Sequence, residues 1–310
     1  MILNEFPNLA WLKQQISERF ASRQGWGGRI LKDPGWPTVI LNTHAMNVKR
    51  DNIPGPVSLF TNIRGTSWVN VNGSPVKINA DFFFLTNRGQ CYSLEINQKT
   101  EPTETFNIHF GEQFAEEAMA SLSMRPEFLL EHQFEKPRTT VNFYNRLYPK
   151  DEVTSRLIAS LRTRPQIDTI YEEEQLYQLL AHVMQQQNQL GKVKQMIPAL
   201  KSSTREEIIK RLFLSTDYIY TFFGQHLRLE ELSQVSCLSK FHFLRLFKIA
   251  FGETPHQFIT KVRLQKAKEL LQSKNLEVGD IAKQVGFENP SSFSRLFYNQ
   301  TGAYPTQFRA

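Results

Sequence analysis

A pattern that occurs twice constrains the last third of this chain more than any other feature. Phe243-Leu244-Arg245-Leu246-Phe247 returns as Phe293-Ser294-Arg295-Leu296-Phe297. Each copy is followed at equal spacing by a glycine (Gly252, Gly302), a proline (Pro255, Pro305) and a phenylalanine (Phe258, Phe308), always 50 residues apart. A repeat held in register over sixteen positions is one supersecondary unit used twice. In both copies an arginine sits at the same place among apolar residues.

Phe243, Leu246, Phe247 and Ala250 fall at i, i+3, i+4 and i+7, the apolar face of a helix, while Phe241, Arg245 and Lys248 share another face. The second copy turns Phe293, Leu296 and Phe297 inward and Ser291, Arg295 and Tyr298 outward. Ser239 can cap the first helix, and Asn289 followed by Pro290 is an N-cap with proline at the first helical position. A shorter helix precedes each, spaced by Leu229, Leu232 and Val235 in the first copy and by Val278, Ile281, Ala282 and Val285 in the second. Gly286 supplies the second tight turn, since glycine tolerates positive φ, and Cys237 stands there in the first. Ser233 to Phe243 holds one residue fewer than Ala282 to Phe293, so the second turn is longer by one.

Helix, short turn, helix with a basic outer face on the second helix is the helix-turn-helix plan. A helix from Pro255 to about Ser273 would join the two units. At about 18 residues it is roughly 27 Å long. Adjacent major grooves on one face of DNA lie about 34 Å apart, so a stiff connector of this length suits two readers in one chain.

Residues from about 205 to 309 resemble the AraC/XylS-type transcription regulators. The resemblance is carried by Ser239-Lys240-Phe241-His242-Phe243 with Arg245-Leu246-Phe247-Lys248, the Gly252 and Pro255 pair, and Val262-Arg263-Leu264 with Ala267 and Leu270-Leu271. It continues through Ile281-Ala282, Val285-Gly286-Phe287, Phe293 to Phe297, and the Gly302 and Pro305 pair. It implies a seven-helix DNA-binding domain with two helix-turn-helix units joined by a long helix. Carried over residue by residue, base contacts fall to Lys240, Phe241, Leu244 and Arg245, then to Asn289, Ser291, Ser292 and Arg295, with His242 and Lys248 toward phosphate. An arginine can donate two parallel hydrogen bonds to guanine O6 and N7, whereas Leu244 offers only apolar contact. The resemblance also implies double-stranded promoter DNA and RNA polymerase as partners, a homodimer, a role as activator, and an N-terminal cupin-like barrel followed by dimerising helices.

Charge is distributed accordingly. The net +7 divides into −1 over residues 1–190, +3 over 191–204 and +5 over 205–310. A basic excess on one region is the footprint expected of phosphate contact. Only Cys91 and Cys237 occur, which excludes a disulfide framework and favours a cytoplasmic location. A lone cysteine such as Cys237 is expected to be a small buried apolar filler. No stretch of 18 apolar residues and no leader pattern is present, so no membrane association is expected.

The first 190 residues read differently. After an amphipathic segment around Leu9 to Phe20, short strands are expected at 37–48, 57–64, 67–71, 76–78, 82–86, 91–96 and 103–110. Pro54-Gly55, Asn72-Gly73 and Arg88-Gly89 stand between them. Such spacing suggests a small β-barrel or jelly roll. Helices follow at 111–122, 151–162 and 169–190, and the stretch 191–203 reads as a linker.

The overall expectation is an α+β chain of three parts. They are a cupin-like sensor or dimerisation domain (1–190), a linker (191–204) and a double helix-turn-helix domain (205–310). A cupin enzyme needs clustered histidines, but His44 and His109 stand alone on their strands and read as ordinary strand residues. No catalytic residue, metal or cofactor is expected. Arg64, Trp68, Phe82, Phe84 and Tyr92 are the candidate walls of a pocket for a small-molecule effector, with core packing as the competing role. The function expected is a sequence-specific transcription regulator. The alternatives are a regulator whose N-terminal domain only dimerises or binds a protein, and, from another class, a cupin-type enzyme fused to a DNA-binding module or a repair protein with a reactive cysteine.

Overall fold

A computed structural model describes residues 2–6, 36–123, 141–163, 169–198, 201–272 and 276–308. The amphipathic segment around Leu9 to Phe20 lies outside them. The chain divides into two compact units, Met1–Gln189 and Leu190–Ala310. The first is rich in sheet and the second is helical.

The first unit holds ten strands in two sheets. A six-stranded sheet runs β1 (Ile2–Leu3), β2 (Val39–Ala45), β9 (Thr103–His109), β4 (Ser58–Arg64), β7 (Phe82–Thr86) and β10 (Leu147–Pro149). A four-stranded sheet runs β3 (Asn47–Pro54), β8 (Cys91–Asn97), β5 (Ser67–Val71) and β6 (Ser74–Ile78). Asn72 and Gly73 both take positive φ, 54° and 80°, and close the β5–β6 hairpin. That is the primed turn whose twist matches its strands. Two expectations change here. The strand expected at 37–48 ends at Ala45, and β3 is a separate strand, Asn-Val-Lys-Arg-Asp-Asn-Ile-Pro, largely exposed and bulged between Arg50 and Ile53. Its charged composition has low strand propensity, and only pairing with β8 holds it extended.

β9 is buried along its whole length, so both of its faces are covered. Glu104 meets Arg162 of α2 (Glu152–Thr163) at 2.7 Å on one side. Asn107 and His109, on the other, face the four-stranded sheet, where the His109 ring stacks on Tyr92 with centroids 6.2 Å apart. Helices α1 (Glu112–Ser123) and α3 (Thr169–Met196) complete the set. α3 runs on through Gly191 to Met196, into the stretch expected to be a linker. One glycine costs a helix only about 1 kcal/mol, and the glutamines and lysines around it favour continuation.

The second unit contains α4 (Ser202–Phe222), α5 (Leu229–Val235), α6 (Lys240–Phe251), α7 (Pro255–Gln272), α8 (Val278–Gln284), α9 (Pro290–Thr301) and α10 (Pro305–Phe308). The repeat in sequence is a repeat in ring geometry. Phe243 and Phe247 lie 5.3 Å apart at 58°, and Phe293 and Phe297 lie 5.6 Å apart at 55°. Phe247 meets Phe258 edge-on at 5.5 Å, and Phe297 meets Phe308 edge-on at 5.4 Å. One core gathers Leu264, Ala267 and Leu271 of α7 with Ile281, Ala282 and Val285, Phe293 and Phe297. The connector is thus shared between the pairs and packed, which is what makes it stiff.

Candidate nucleic-acid interface

Each short helix ends in the same six-residue cap. Leu238 N–H donates to Ser233 O and Cys237 N–H to Gln234 O, and Phe287 and Gly286 repeat this on Ala282 and Lys283. This is a Schellman motif, and its C′ residue must take positive φ. Cys237 does so at 50° and Gly286 at 90°. Cys237 is exposed there, so the expected buried filler is corrected: the left-handed cap turns its side chain to solvent. From the cap the chain enters the next helix after Leu238 and Ser239 in the first pair and after Phe287, Glu288 and Asn289 in the second, so the extra residue lies in this turn.

The entries to the long helices also differ. Ser239 occupies the N-cap of α6 but its side chain makes no capping hydrogen bond. Asn289 Oδ1 accepts from Ser291 N–H at 2.8 Å, and Pro290 follows at the first turn. Both helices end on a glycine at φ 75°, Gly252 and Gly302. The paired helices are therefore fixed at both ends by local sequence.

With Phe243, Leu246, Phe247 and Ala250 buried, α6 presents Lys240, Phe241, His242, Arg245 and Lys248 to solvent and leaves Leu244 half-buried. Phe241 is 81% exposed, which no packing role explains. Lys240 Nζ pairs with Glu230 of α5, while Arg245 and Lys248 form no ion pair among the described residues. α9 turns Asn289, Ser291, Arg295 and Tyr298 outward, with Ser292 half-buried. Arg295 lies in a shallow groove with Ser291, Ser294 and Tyr298, whose ring stacks on Tyr304 at 4.6 Å. Two unpaired guanidinium groups thus stand at the same turn of two like helices. Arg263 does something else: it donates to Phe223 O and Gln225 O, each at 2.8 Å, and fastens α7 to the end of α4. Its half-buried guanidinium has its pKa lowered by desolvation.

In the first unit a cavity of about 290 Å³ opens between the two sheets. Of the five candidate wall residues only Tyr92 lines it. Arg64 is exposed at a strand end and pairs with Glu101 at 3.7 Å, Trp68 is 40% exposed, and Phe82 and Phe84 are buried in the six-stranded sheet away from the cavity. Aromatic type marks burial but not the side of the sheet. Sequence reading passed over Asn107 and His109, which also line the cavity. His109 Nδ1 lies 2.9 Å from Ser58 Oγ, and burial lowers its pKa to about 4. The one available signal was their i, i+2 spacing, which places both on one face of β9. Among the described residues no cluster of three or more His, Cys, Asp or Glu could hold a metal ion. No described helix is long and apolar enough to cross a membrane.

A family model described as a helix-turn-helix domain matches residues 232–310. Among curated proteins, the probable transcriptional regulator LumQ of Photobacterium leiognathi is 34% identical over 106 residues, 34% of this chain and 43% of the relative. The bifunctional transcriptional activator/DNA repair enzyme AdaA of Bacillus subtilis (strain 168) is 40% identical over 96 residues, 31% of this chain and 46% of the relative. The matched segment thus spans less than half of each relative. Among solved structures, a probable AraC family transcriptional regulator from Rhodopseudomonas palustris CGA009 is similar at 25% identity and a TM-score of 0.31, over 32% of this chain and 94% of that one. Taken with the capped helix pairs and their outward arginines, these matches make the C-terminal part of the chain, residues 232–310, an AraC-type helix-turn-helix domain.

Proposed function

We propose that the protein is a sequence-specific DNA-binding transcription regulator whose N-terminal unit, a cupin-like barrel, responds to a signal or ligand. The observation that carries this reading is the placement of Arg245 and Arg295, exposed and unpaired at the same turn of two like helices, with an 18-residue helix between the two pairs. We read α5–α6 and α8–α9 as two helix-turn-helix units whose second helices enter adjacent major grooves. Residues 1–190 then sense and dimerise, 205–310 bind promoter DNA, and 191–204 connect them. Lys240, Phe241, Leu244 and Arg245 read bases in one groove and Asn289, Ser291, Ser292 and Arg295 in the next, with His242 and Lys248 on phosphate. Asn289 spends its carbonyl oxygen on the helix cap, so only its amide nitrogen is left to donate to a base.

The test is a mobility-shift titration on the cognate promoter with Arg245→Ala and Arg295→Ala. Each loses about 1–3 kcal/mol of specific binding, the value of a bidentate guanine contact. Wild-type binding by both variants sinks the assignment. Footprinting offers a second check, since one protomer is expected to protect two successive major grooves on one face of the duplex.

A further inference from the structure

The cavity between the sheets of the first unit has a definite chemistry, and the inference from it rests on the reading that this unit responds to a ligand. Its body is apolar, with Val39, Leu41 and Phe60 on one wall and Leu94 on the other. The polar groups in it are few and each has a determinable role. Asn107 is buried, its Oδ1 accepts from Thr61 N–H at 3.3 Å, and its Nδ2 has no partner. A buried amide without an acceptor costs about 1–3 kcal/mol, so it is a standing demand for one.

His109 supplies the complementary group. Ser58 Oγ donates its only proton to Pro56 O at 3.0 Å. It therefore accepts from His109, which fixes the proton on Nδ1 and leaves Nε2 as a bare acceptor. Nε2 has no hydrogen-bond partner among the described residues. The ring stays neutral at ordinary pH, because burial lowers its pKa to about 4. Asn107 and His109 stand two residues apart on β9, on one face, so donor and acceptor are neighbours. The cations near the cavity are already engaged at its rim. Lys49 is exposed and lies 3.6 Å from Asp51, and the exposed Arg50 sits over the Phe6 ring at 6.0 Å.

The geometry points to a small, uncharged, largely apolar ligand that carries a hydrogen-bond acceptor beside a donor, of which a bicyclic lactam is the simplest case. The acceptor takes Asn107 Nδ2–H, the donor meets His109 Nε2, and the flat body lies among Phe60, Tyr92 and Leu94. A carboxylate is excluded from the inner end, where the lone pair of a neutral imidazole would face it.

Three probes of one shape decide the matter on the full chain, by calorimetry and thermal shift. They are 2-quinolone, which has both groups, coumarin, which replaces the N–H by oxygen, and 2-naphthoate, which is an anion. The expected order is 2-quinolone first, with about tenfold weaker binding for coumarin, the scale of one buried acceptor left unpaired. On His109→Phe the preference for 2-quinolone over coumarin disappears. Equal binding of 2-quinolone and coumarin by the wild type, tighter binding of 2-naphthoate, no binding of any probe, or a preference that survives in His109→Phe overturns the proposal. The wild-type series decides even if the variant fails to fold. Promoter binding in the same samples is read through Arg245 and Arg295 on the other unit, so failure here is distinguishable from failure of the regulator reading.

Discussion

At the scale of single residues, the two turns show how one backbone demand is met in two ways. Cys237 and Gly286 both hold positive φ in the same cap. A β-carbon on Gly286 would lie 2.7 Å from Phe223 O and 2.9 Å from the Arg263 guanidinium carbon, whereas the Cys237 side chain points to solvent. Gly286→Ala is therefore expected to destabilise the second unit by about 2–4 kcal/mol, combining the left-handed penalty with a clash against backbone. Cys237→Gly is expected to stabilise it by up to about 1 kcal/mol, since relief of the left-handed strain exceeds the added chain entropy. Urea denaturation of the two variants checks both signs. Equal effects at the two turns would mean that the Phe223 and Arg263 contact does not constrain Gly286.

At the scale of elements, α6 and α9 share a core face and differ on the outer one. The outer face of α6 carries Lys240, Arg245 and Lys248, whereas that of α9 carries Asn289, Ser291 and Arg295 with no lysine. Lys240 is held by Glu230, so Lys248 is the free lysine of the two. Lys248→Ala is expected to weaken binding similarly on specific and unrelated DNA and to reduce the salt slope by about one. A loss confined to the cognate site would instead place Lys248 on a base. The connector makes its own prediction. Gln265→Pro, on the exposed side of α7, is expected to break the helix at a cost of about 3 kcal/mol and to abolish two-groove protection in a footprint.

For the whole molecule, two compact units with separate cores lead us to expect two unfolding transitions, of which one is sensitive to acid. His109 is neutral in the folded state, and its pKa of about 4 lies below the usual 6.5. Between these values the unfolded chain binds more protons than the folded one. Stability of the sheet-rich unit is therefore undiminished above pH 6.5 and falls as pH drops toward 4, by about 3 kcal/mol at most. Calorimetric scans between pH 7 and 4 should show this transition moving down relative to that of the helical unit. His109→Gln removes the dependence attributable to this ring. A transition that moves as much in the variant as in the wild type would assign the acid sensitivity to other groups.

The repeat was legible because the phenylalanines, prolines and glycines of the helical unit act locally. They set helix face, start and stop within a few residues, and the α5, α7 and α8 boundaries follow within a residue or two of the spacing. The strands of the first unit were legible where aromatic and branched residues cluster. β3 was not, because its lysine, arginine and aspartate form a strand only when β8 supplies the hydrogen bonds. His109 and Asn107 read as ordinary members of a strand, since alternation says which residues share a face but not what will cover it. What the sequence alone determined is the duplicated helical unit and its outward arginines. Only the tertiary structure decided that the polar face of β9 lies under a second sheet and lines a cavity there, because that burial depends on contacts between residues far apart in the chain.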